Sequence, residues 1–125
     1  MAPLKKTKIL VVEDCADLAE LIQNQLEHIG LISSVATNGS QALHKALEEG
    51  PDLILLDIAL PQISGLEVAR RLKAGPSTRT IPILAVTGKV MKGDREKCLA
   101  DGCDGYLAKP FLLEQLKGEI AKLLH

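Results

Sequence analysis

Five short apolar runs constrain the fold of this 125-residue chain more than any other feature. The segments between them carry apolar residues every three or four positions, which is typical of helices with one buried face. Alternation of strands and helices at this spacing predicts an α/β fold in which helices cover both faces of a doubly wound parallel sheet. The predicted strands are Ile9–Val12, Leu31–Ala36, Leu53–Leu56, Ile81–Val86 and Gly105–Ala108.

Helix-ending residues support the same alternation. Gly30, Gly50–Pro51 and Gly75–Pro76 each follow an apolar helical pattern, and glycine or proline commonly ends a helix. We see no linker, repeat or low-complexity tract, so residues 1–125 are predicted to form a single domain, with residues 1–7 as a flexible tail. The predicted helices carry their apolar faces on Leu18–Ile29, Ala42–Leu47, Leu66–Leu72, about Met91–Ala100 and Leu112–Leu123.

Charge and hydropathy exclude two classes of partner. The net charge is −1, from 15 basic and 16 acidic residues, and no basic stripe is evident, so direct binding to nucleic acid is not expected. No apolar run approaches the roughly 18 residues that a membrane span needs, and no signal peptide is recognisable. The three cysteines, Cys15, Cys98 and Cys103, form no C-x-x-C pair. We therefore expect a cytoplasmic protein without a disulfide framework or zinc site.

Polar residues follow four of the five apolar runs. Glu13 and Asp14 follow the first run, Asp57 the third, Thr87 the fourth and Lys109 the fifth. The carboxyl ends of parallel strands lie on one edge of a sheet, where open α/β sheets bind their ligands. We therefore expect three carboxylates, one hydroxyl and one ammonium group to converge there.

These residue types together suit phosphoryl chemistry with a divalent cation. Like charges about 4 Å apart repel by about 4 kcal/mol at an effective dielectric constant near 20, and one lysine cannot offset every pair. Mg²⁺ prefers such hard oxygen ligands, so Glu13 and Asp14 are candidate ligands. Asp57 is then a candidate nucleophile toward phosphorus. Lys109 and Thr87 can offer a positive charge and a hydroxyl donor to phosphoryl oxygens.

Taken singly, each residue has a simpler interpretation. An acid after a strand is more often a loop residue or a helix cap, and Asp14 could cap the first helix. Thr87 or Lys109 alone would indicate nothing. The functional interpretation depends on their joint placement at four strand ends.

The same residues lie in motifs of a known family. The chain resembles a response-regulator receiver domain, the phospho-accepting half of two-component signalling. The resemblance is carried by VVED at 11–14, DLILLDIALPQISGLEV at 52–68, ILAVTG at 83–88 and DGYLAKPF at 104–111. It extends over essentially the whole chain, and the motifs are specific in combination.

The resemblance implies a flavodoxin-like (βα)5 sheet of order 2-1-3-4-5 and a role for each site residue. Asp57 would be the phosphoacceptor, with Thr87 and Lys109 as the pair that senses the phosphoryl group. Mg²⁺ would be held by Glu13, Asp14, Asp57 and the backbone carbonyl of Ala59. Tyr106 would be the switch aromatic, and the Lys109–Pro110 peptide bond would be cis, which costs little at proline.

The family also implies the kind of partner. A histidine kinase or histidine phosphotransfer protein would donate the phosphoryl group, and a downstream protein effector would read a surface made by the fourth helix, fifth strand and fifth helix. The chain would catalyse only its own phosphorylation and dephosphorylation, as a monomer or weak homodimer. Cys15, Leu60 and Gly88 depart from the commonest family residues without removing a reacting group.

Four alternatives stay open. A hydrolase with an aspartyl-phosphate would resemble D-x-D, but Ala59 occupies the second acidic position. A dinucleotide or flavin binder would carry a glycine-rich phosphate cradle after the first strand, where this chain has acids. The chain could be a receiver-like interaction module that takes no phosphate. It could also be a receiver cut from a longer hybrid histidine kinase or regulator.

Overall fold

The computed structural model describes residues 7–88 and 94–124, which alternate between strands and helices throughout. Each predicted strand and each predicted helix has a counterpart in the described residues. The elements in chain order are β1 (Lys8–Val12), α1 (Ala16–His28), β2 (Ile32–Ala36), α2 (Gly39–Glu49), β3 (Leu53–Asp57), α3 (Gly65–Ala74), β4 (Ile83–Thr87), α4 (Asp94–Ala100), β5 (Gly105–Ala108) and α5 (Leu113–Leu123).

The five strands form one parallel sheet of order β2-β1-β3-β4-β5. The order reverses at β1, because β2 lies on one side of it and β3 on the other. This arrangement is the flavodoxin-like (βα)5 fold that the family resemblance implied, so the predicted fold class is confirmed. Ligand sites of such sheets lie beyond the carboxyl ends of the strands at this reversal.

Alternate residues of the central strands fill two separate cores, as expected for a sheet buried on both faces. Leu10 and Val12 of β1 pack in one core with residues of α2, α3 and α4. Ile9 and Val11 pack in the other core with residues of α1 and α5. The continuous apolar runs of β1, β3 and β4 thus contribute side chains to the cores on both faces of the sheet.

Several predicted strand boundaries differ from the structure by one or two residues. Ile81 and Pro82 precede β4, which begins at Ile83, although the carbonyl of Pro82 still accepts a hydrogen bond from the Ile54 N–H at 2.9 Å. Asp57 and Thr87 are the last residues of β3 and β4, not the first residues beyond them. The strand backbone therefore sets the orientation of both polar side chains.

Some of the predicted features lie outside the described residues. These are residues 1–6 of the predicted tail, together with the predicted start of the fourth helix near Met91. The Thr7 carbonyl accepts a hydrogen bond from the Ile32 N–H at 3.1 Å, at the entrance to the sheet. No helix in the described part of the chain has the length and apolar character that a membrane crossing requires.

Candidate functional site

The predicted site residues meet at the carboxyl edge of the sheet. Glu13 follows β1, Asp57 ends β3, Thr87 ends β4 and Lys109 follows β5. Because these strands are neighbours in the sheet, residues from positions 13 to 109 occupy one small region. Glu13, Asp57 and Thr87 are buried, with 3%, 6% and 4% of their surface exposed.

Three carboxylates form a cluster at this edge. Glu13, Asp14 and Asp57 each offer an oxygen, and the three oxygens lie within 4.8 Å of one another. Asp14 is exposed, whereas the other two are buried, so the cluster opens to solvent on one side. Such a set of hard oxygen donors matches what Mg²⁺ takes from proteins, and it could hold that ion.

Lys109 provides the positive charge next to this cluster. Its Nζ lies 2.7 Å from Glu13 Oε1 and 3.7 Å from Asp57 Oδ2. One ammonium group against three carboxylates leaves an excess of negative charge, which a divalent cation would offset. The Lys109 N–H also donates to the Thr87 carbonyl at 2.8 Å, and the Lys109–Pro110 peptide bond is cis.

Glu13 is held by backbone as well as by Lys109. Its N–H donates to the Ala36 carbonyl at 3.0 Å, and its Oε2 accepts from the Cys15 N–H at 3.2 Å. Burial raises the pKa of Glu13, although the hydrogen bonds from Lys109 and Cys15 oppose that rise. Cys15 is the residue that precedes α1 as its N-cap, so the alternative in which Asp14 caps this helix is not what the structure shows.

The two oxygens of Asp57 have different surroundings. Oδ1 accepts a hydrogen bond from the Ala59 N–H at 3.0 Å, which fixes the orientation of the carboxylate. Oδ2 lies on the side of Lys109, at ion-pair distance. The structure thus brings Ala59 to the site through its N–H, and it holds the Asp57 carboxylate in one orientation beside a cation.

Gly65 was not predicted as a site residue from the sequence, although it packs against the backbone that carries Asp57. A Cβ at Gly65 would lie 2.4 Å from the Asp57 carbonyl oxygen and 2.6 Å from the Ile58 Cα, distances that no side chain tolerates. The Gly65 N–H donates to the Ile58 carbonyl at 3.0 Å. The Ser64-Gly65 pair before an apolar helical pattern was the available signal, because Ser64 caps α3 by accepting from the Glu67 N–H.

Tyr106 is the second residue of β5. It pairs in register with Ala85 of β4. Two positions further along the same two strands, Thr87 pairs with Ala108. Its partly buried ring packs against the core on the side of α2, α3 and α4. It also lines a groove of about 380 Å³ between α4 and α5, together with Arg95, Leu99, Asp104, Gly105, Glu119, Lys122 and Leu123.

Comparison with known proteins gives a consistent family. The family model described as the response regulator receiver domain matches residues 9–121. The polar-differentiation response regulator DivK of Brucella anthropi is 43% identical over 102 residues, which cover 82% of this chain and 83% of DivK.

Two solved structures share the fold over almost the whole chain. The receiver domain of the sensor histidine kinase PA1611 from Pseudomonas aeruginosa, which has a magnesium ion coordinated in its active-site cleft, has a TM-score of 0.88 at 33% identity, covering 96% of this chain and 98% of that one. The chemotaxis protein CheY4 of Vibrio cholerae has a TM-score of 0.90 at 27% identity, covering 96% and 100%. This chain belongs to the response regulator receiver domain family of two-component signalling.

Proposed function

We propose that Asp57 accepts a phosphoryl group from a histidine of a partner kinase or histidine phosphotransfer protein, and that the modification changes a protein-binding surface. The observation that carries the proposal is the placement of Asp57 beside the Lys109 ammonium and two further carboxylates. Family membership supports the same function.

The chemistry follows from the orientation of Asp57. Because Oδ1 accepts from Ala59, Oδ2 is the nucleophile that attacks phosphorus. The new O–P bond forms as the P–N bond to the donor histidine breaks, and the imidazole takes up a proton. Phosphoryl transfer needs positioning and charge stabilisation above all. Lys109, which sits 3.7 Å from Oδ2, can follow the charge onto a phosphoryl oxygen.

Mg²⁺ would be held by the carboxylates of Glu13, Asp14 and Asp57 with the backbone carbonyl of Ala59. When bound, it would neutralise charge on the incoming phosphoryl oxygens. Lys109 Nζ lies 2.7 Å from Glu13 Oε1. With Mg²⁺ beside Glu13, this lysine would become available to a phosphoryl oxygen.

Thr87 and Tyr106 would transmit the modification. The Thr87 hydroxyl would donate to a phosphoryl oxygen, and its movement would make room for the Tyr106 ring to turn inward. Tyr106 lines the groove between α4 and α5, so the surface made by α4, β5 and α5 would change shape. A downstream protein effector would read that change.

The remaining features of the proposal follow from the family and the composition. The chain would catalyse only its own phosphorylation and dephosphorylation and would not turn over other substrates. It would act in the cytoplasm as a monomer or weak homodimer, without binding nucleic acid directly, since its net charge is −1.

The first experiment is intact mass after incubation with Mg²⁺ and acetyl phosphate. Wild type should gain one phosphoryl group, Asp57→Asn should gain none, and EDTA should prevent the gain. Asp101→Asn is the matched control, because Asp101 pairs with Arg70 away from the site, and it should be modified like wild type. A phosphorylated Asp57→Asn protein would refute the assignment.

A second candidate places this chain within a longer hybrid histidine kinase. The observation that favours it is the match to the receiver domain of the sensor histidine kinase PA1611. A third is a receiver-like interaction module that takes no phosphate. Absence of modification in wild type with both acetyl phosphate and a phosphorylated phosphotransfer protein would favour that module.

A further inference from the structure

Cys98 and Cys103 lie on either side of the turn that ends α4. The Cys103 N–H donates to the Cys98 carbonyl at 3.0 Å, and the Gly102 N–H donates to the Leu99 carbonyl at 3.2 Å. Gly102 has a φ of 106°. This pair of bonds is the Schellman ending of a helix, in which the side chains at the positions of Cys98 and Cys103 commonly touch.

The backbone hydrogen bond limits how far apart the two Cα atoms can be. A carbonyl oxygen lies about 2.4 Å from its own Cα, and an amide nitrogen about 1.5 Å from its Cα. With the 3.0 Å bond between them, the Cα atoms of Cys98 and Cys103 are at most about 7 Å apart, and any bend shortens this distance. Disulfides span Cα separations of about 4.4 to 6.8 Å.

The two thiols share one environment. Cys98 and Cys103 are 3% and 4% exposed, and both belong to the core on the side of α2, α3 and α4. Burial raises the pKa of Cys103 to about 12, and the neighbouring Cys98 thiol adds to that rise. The proposed phosphoryl chemistry uses neither thiol.

We propose that Cys98 and Cys103 are a modification site, which forms an intramolecular disulfide when the folded protein meets a two-electron thiol oxidant. With a diazene oxidant, both S–H bonds break, the S–S bond forms, and the two hydrogens and two electrons reduce the N=N bond to a hydrazine. Disulfides in cytosolic proteins, when present, are usually transient and either catalytic or redox-sensing. Oxidation is slower than that of exposed Cys15, because thiolate is scarce at a buried thiol of high pKa.

The disulfide would act on α4. Among residues 95–100 of this helix, Cys98 is the one buried side chain, so it anchors the helix to the core. A bond to Cys103, two residues before β5, fixes the end of α4 to the strand that carries Tyr106. Hydrogen exchange at the Asp101, Gly102 and Cys103 amides should therefore slow after oxidation. The inference needs neither Asp57 nor Mg²⁺, so it stands apart from the proposed function.

The test uses the full chain with Cys15→Ser, which leaves the two buried thiols. The folded protein is incubated with diamide, unfolded, alkylated with N-ethylmaleimide and digested with trypsin. Cleavage after Lys97 gives a peptide that contains both cysteines. The expected peptide is lighter by two hydrogens and unalkylated, and dithiothreitol before alkylation restores two alkylated thiols. A further Cys103→Ser change should abolish this species.

Other outcomes would overturn the inference. Full alkylation of both thiols after an incubation much longer than the one that consumes Cys15 in the wild-type protein would show that the folded geometry prevents the bond. Cross-linked dimers or oxidation of a single thiol would do so as well. The same oxidation in urea is the chemical control, since in the unfolded chain the disulfide should form regardless of the folded geometry.

Discussion

The Lys109 ammonium lies 2.7 Å from the buried carboxylate of Glu13, a residue that is 96 positions away in sequence. This lysine therefore places its positive charge against the more buried of the two carboxylates that it pairs with. A divalent ion held by these carboxylates would compete with Lys109 for the same negative charge. This competition leads to the first prediction.

Lys109→Met should raise the affinity for Mg²⁺ by about tenfold, which corresponds to about 1.4 kcal/mol. The change removes one positive charge beside Glu13 and Asp57 and keeps the length of the side chain. Calorimetric titration with Mg²⁺ measures the difference. Lys117→Met, on the exposed side of α5, should leave the affinity unchanged; weaker Mg²⁺ binding by the Lys109 variant would argue against competition.

Asp57→Asn should stabilise the metal-free protein by about 1 kcal/mol. The change removes one of three mutually repelling carboxylates, and the amide oxygen can still accept from the Ala59 N–H. Urea unfolding in EDTA checks the sign. Asp101→Asn is the control: it loses a surface ion pair with Arg70, so its stability should be unchanged or slightly lower. A comparable loss of stability in the Asp57→Asn variant would contradict the argument from repulsion.

Gly65→Ala should lower the free energy of unfolding by about 1–3 kcal/mol and slow phosphorylation of Asp57. The added Cβ would meet the backbone of Asp57 and Ile58, which cannot move without shifting the end of β3. Gly118→Ala is the matched control, because nothing lies within 4 Å of its Cβ and α5 gains up to about 1 kcal/mol in helix propensity. Equal stabilisation of both variants would refute the packing argument.

Glu49 should contribute stability at neutral pH that disappears in acid. The Ser34 hydroxyl, which donates to Glu49 at 2.7 Å, lowers the pKa of this carboxyl, and Lys8 lowers it further. A folded-state pKa below the ordinary value of 4.5 stabilises the protein above that pH, and the contribution is lost as the pH falls through the folded value.

Glu49→Gln should therefore cost about 0.5–1 kcal/mol at pH 7 and less at pH 3. Unfolding curves at the two pH values measure the difference. Glu48→Gln is the control, because Glu48 pairs with His44 on an exposed helix face. A pH-independent loss at Glu49 would point to packing instead of charge.

Tyr106 should report the switch directly, because the chain has one tyrosine and no tryptophan. Addition of Mg²⁺ with beryllofluoride, a phosphoryl analogue, should change the near-ultraviolet circular dichroism of the tyrosine. Thr87→Ala should bind the analogue but lose much of this spectral change. An unchanged spectrum in wild type that has bound the analogue would show that Tyr106 does not move.

Much of the site could be predicted because each polar residue follows an apolar run. The runs ending at Val12, Leu56, Val86 and Ala108 specify parallel strands, and parallel strands bring their carboxyl ends to one edge. Gly65 could not be predicted in the same way. Its requirement comes from the approach of α3 to the backbone after β3, which depends on packing between elements.

The sequence by itself determined the order of the elements, the burial of the central strands and the set of reacting groups, because these depend on local periodicity and residue type. The tertiary structure decided which groups are partners. Lys109 contacts Glu13 more closely than Asp57, and Gly65 of α3 lies against the backbone of Asp57 and Ile58. Distances of this kind arise from the packing of whole elements, which no local pattern encodes.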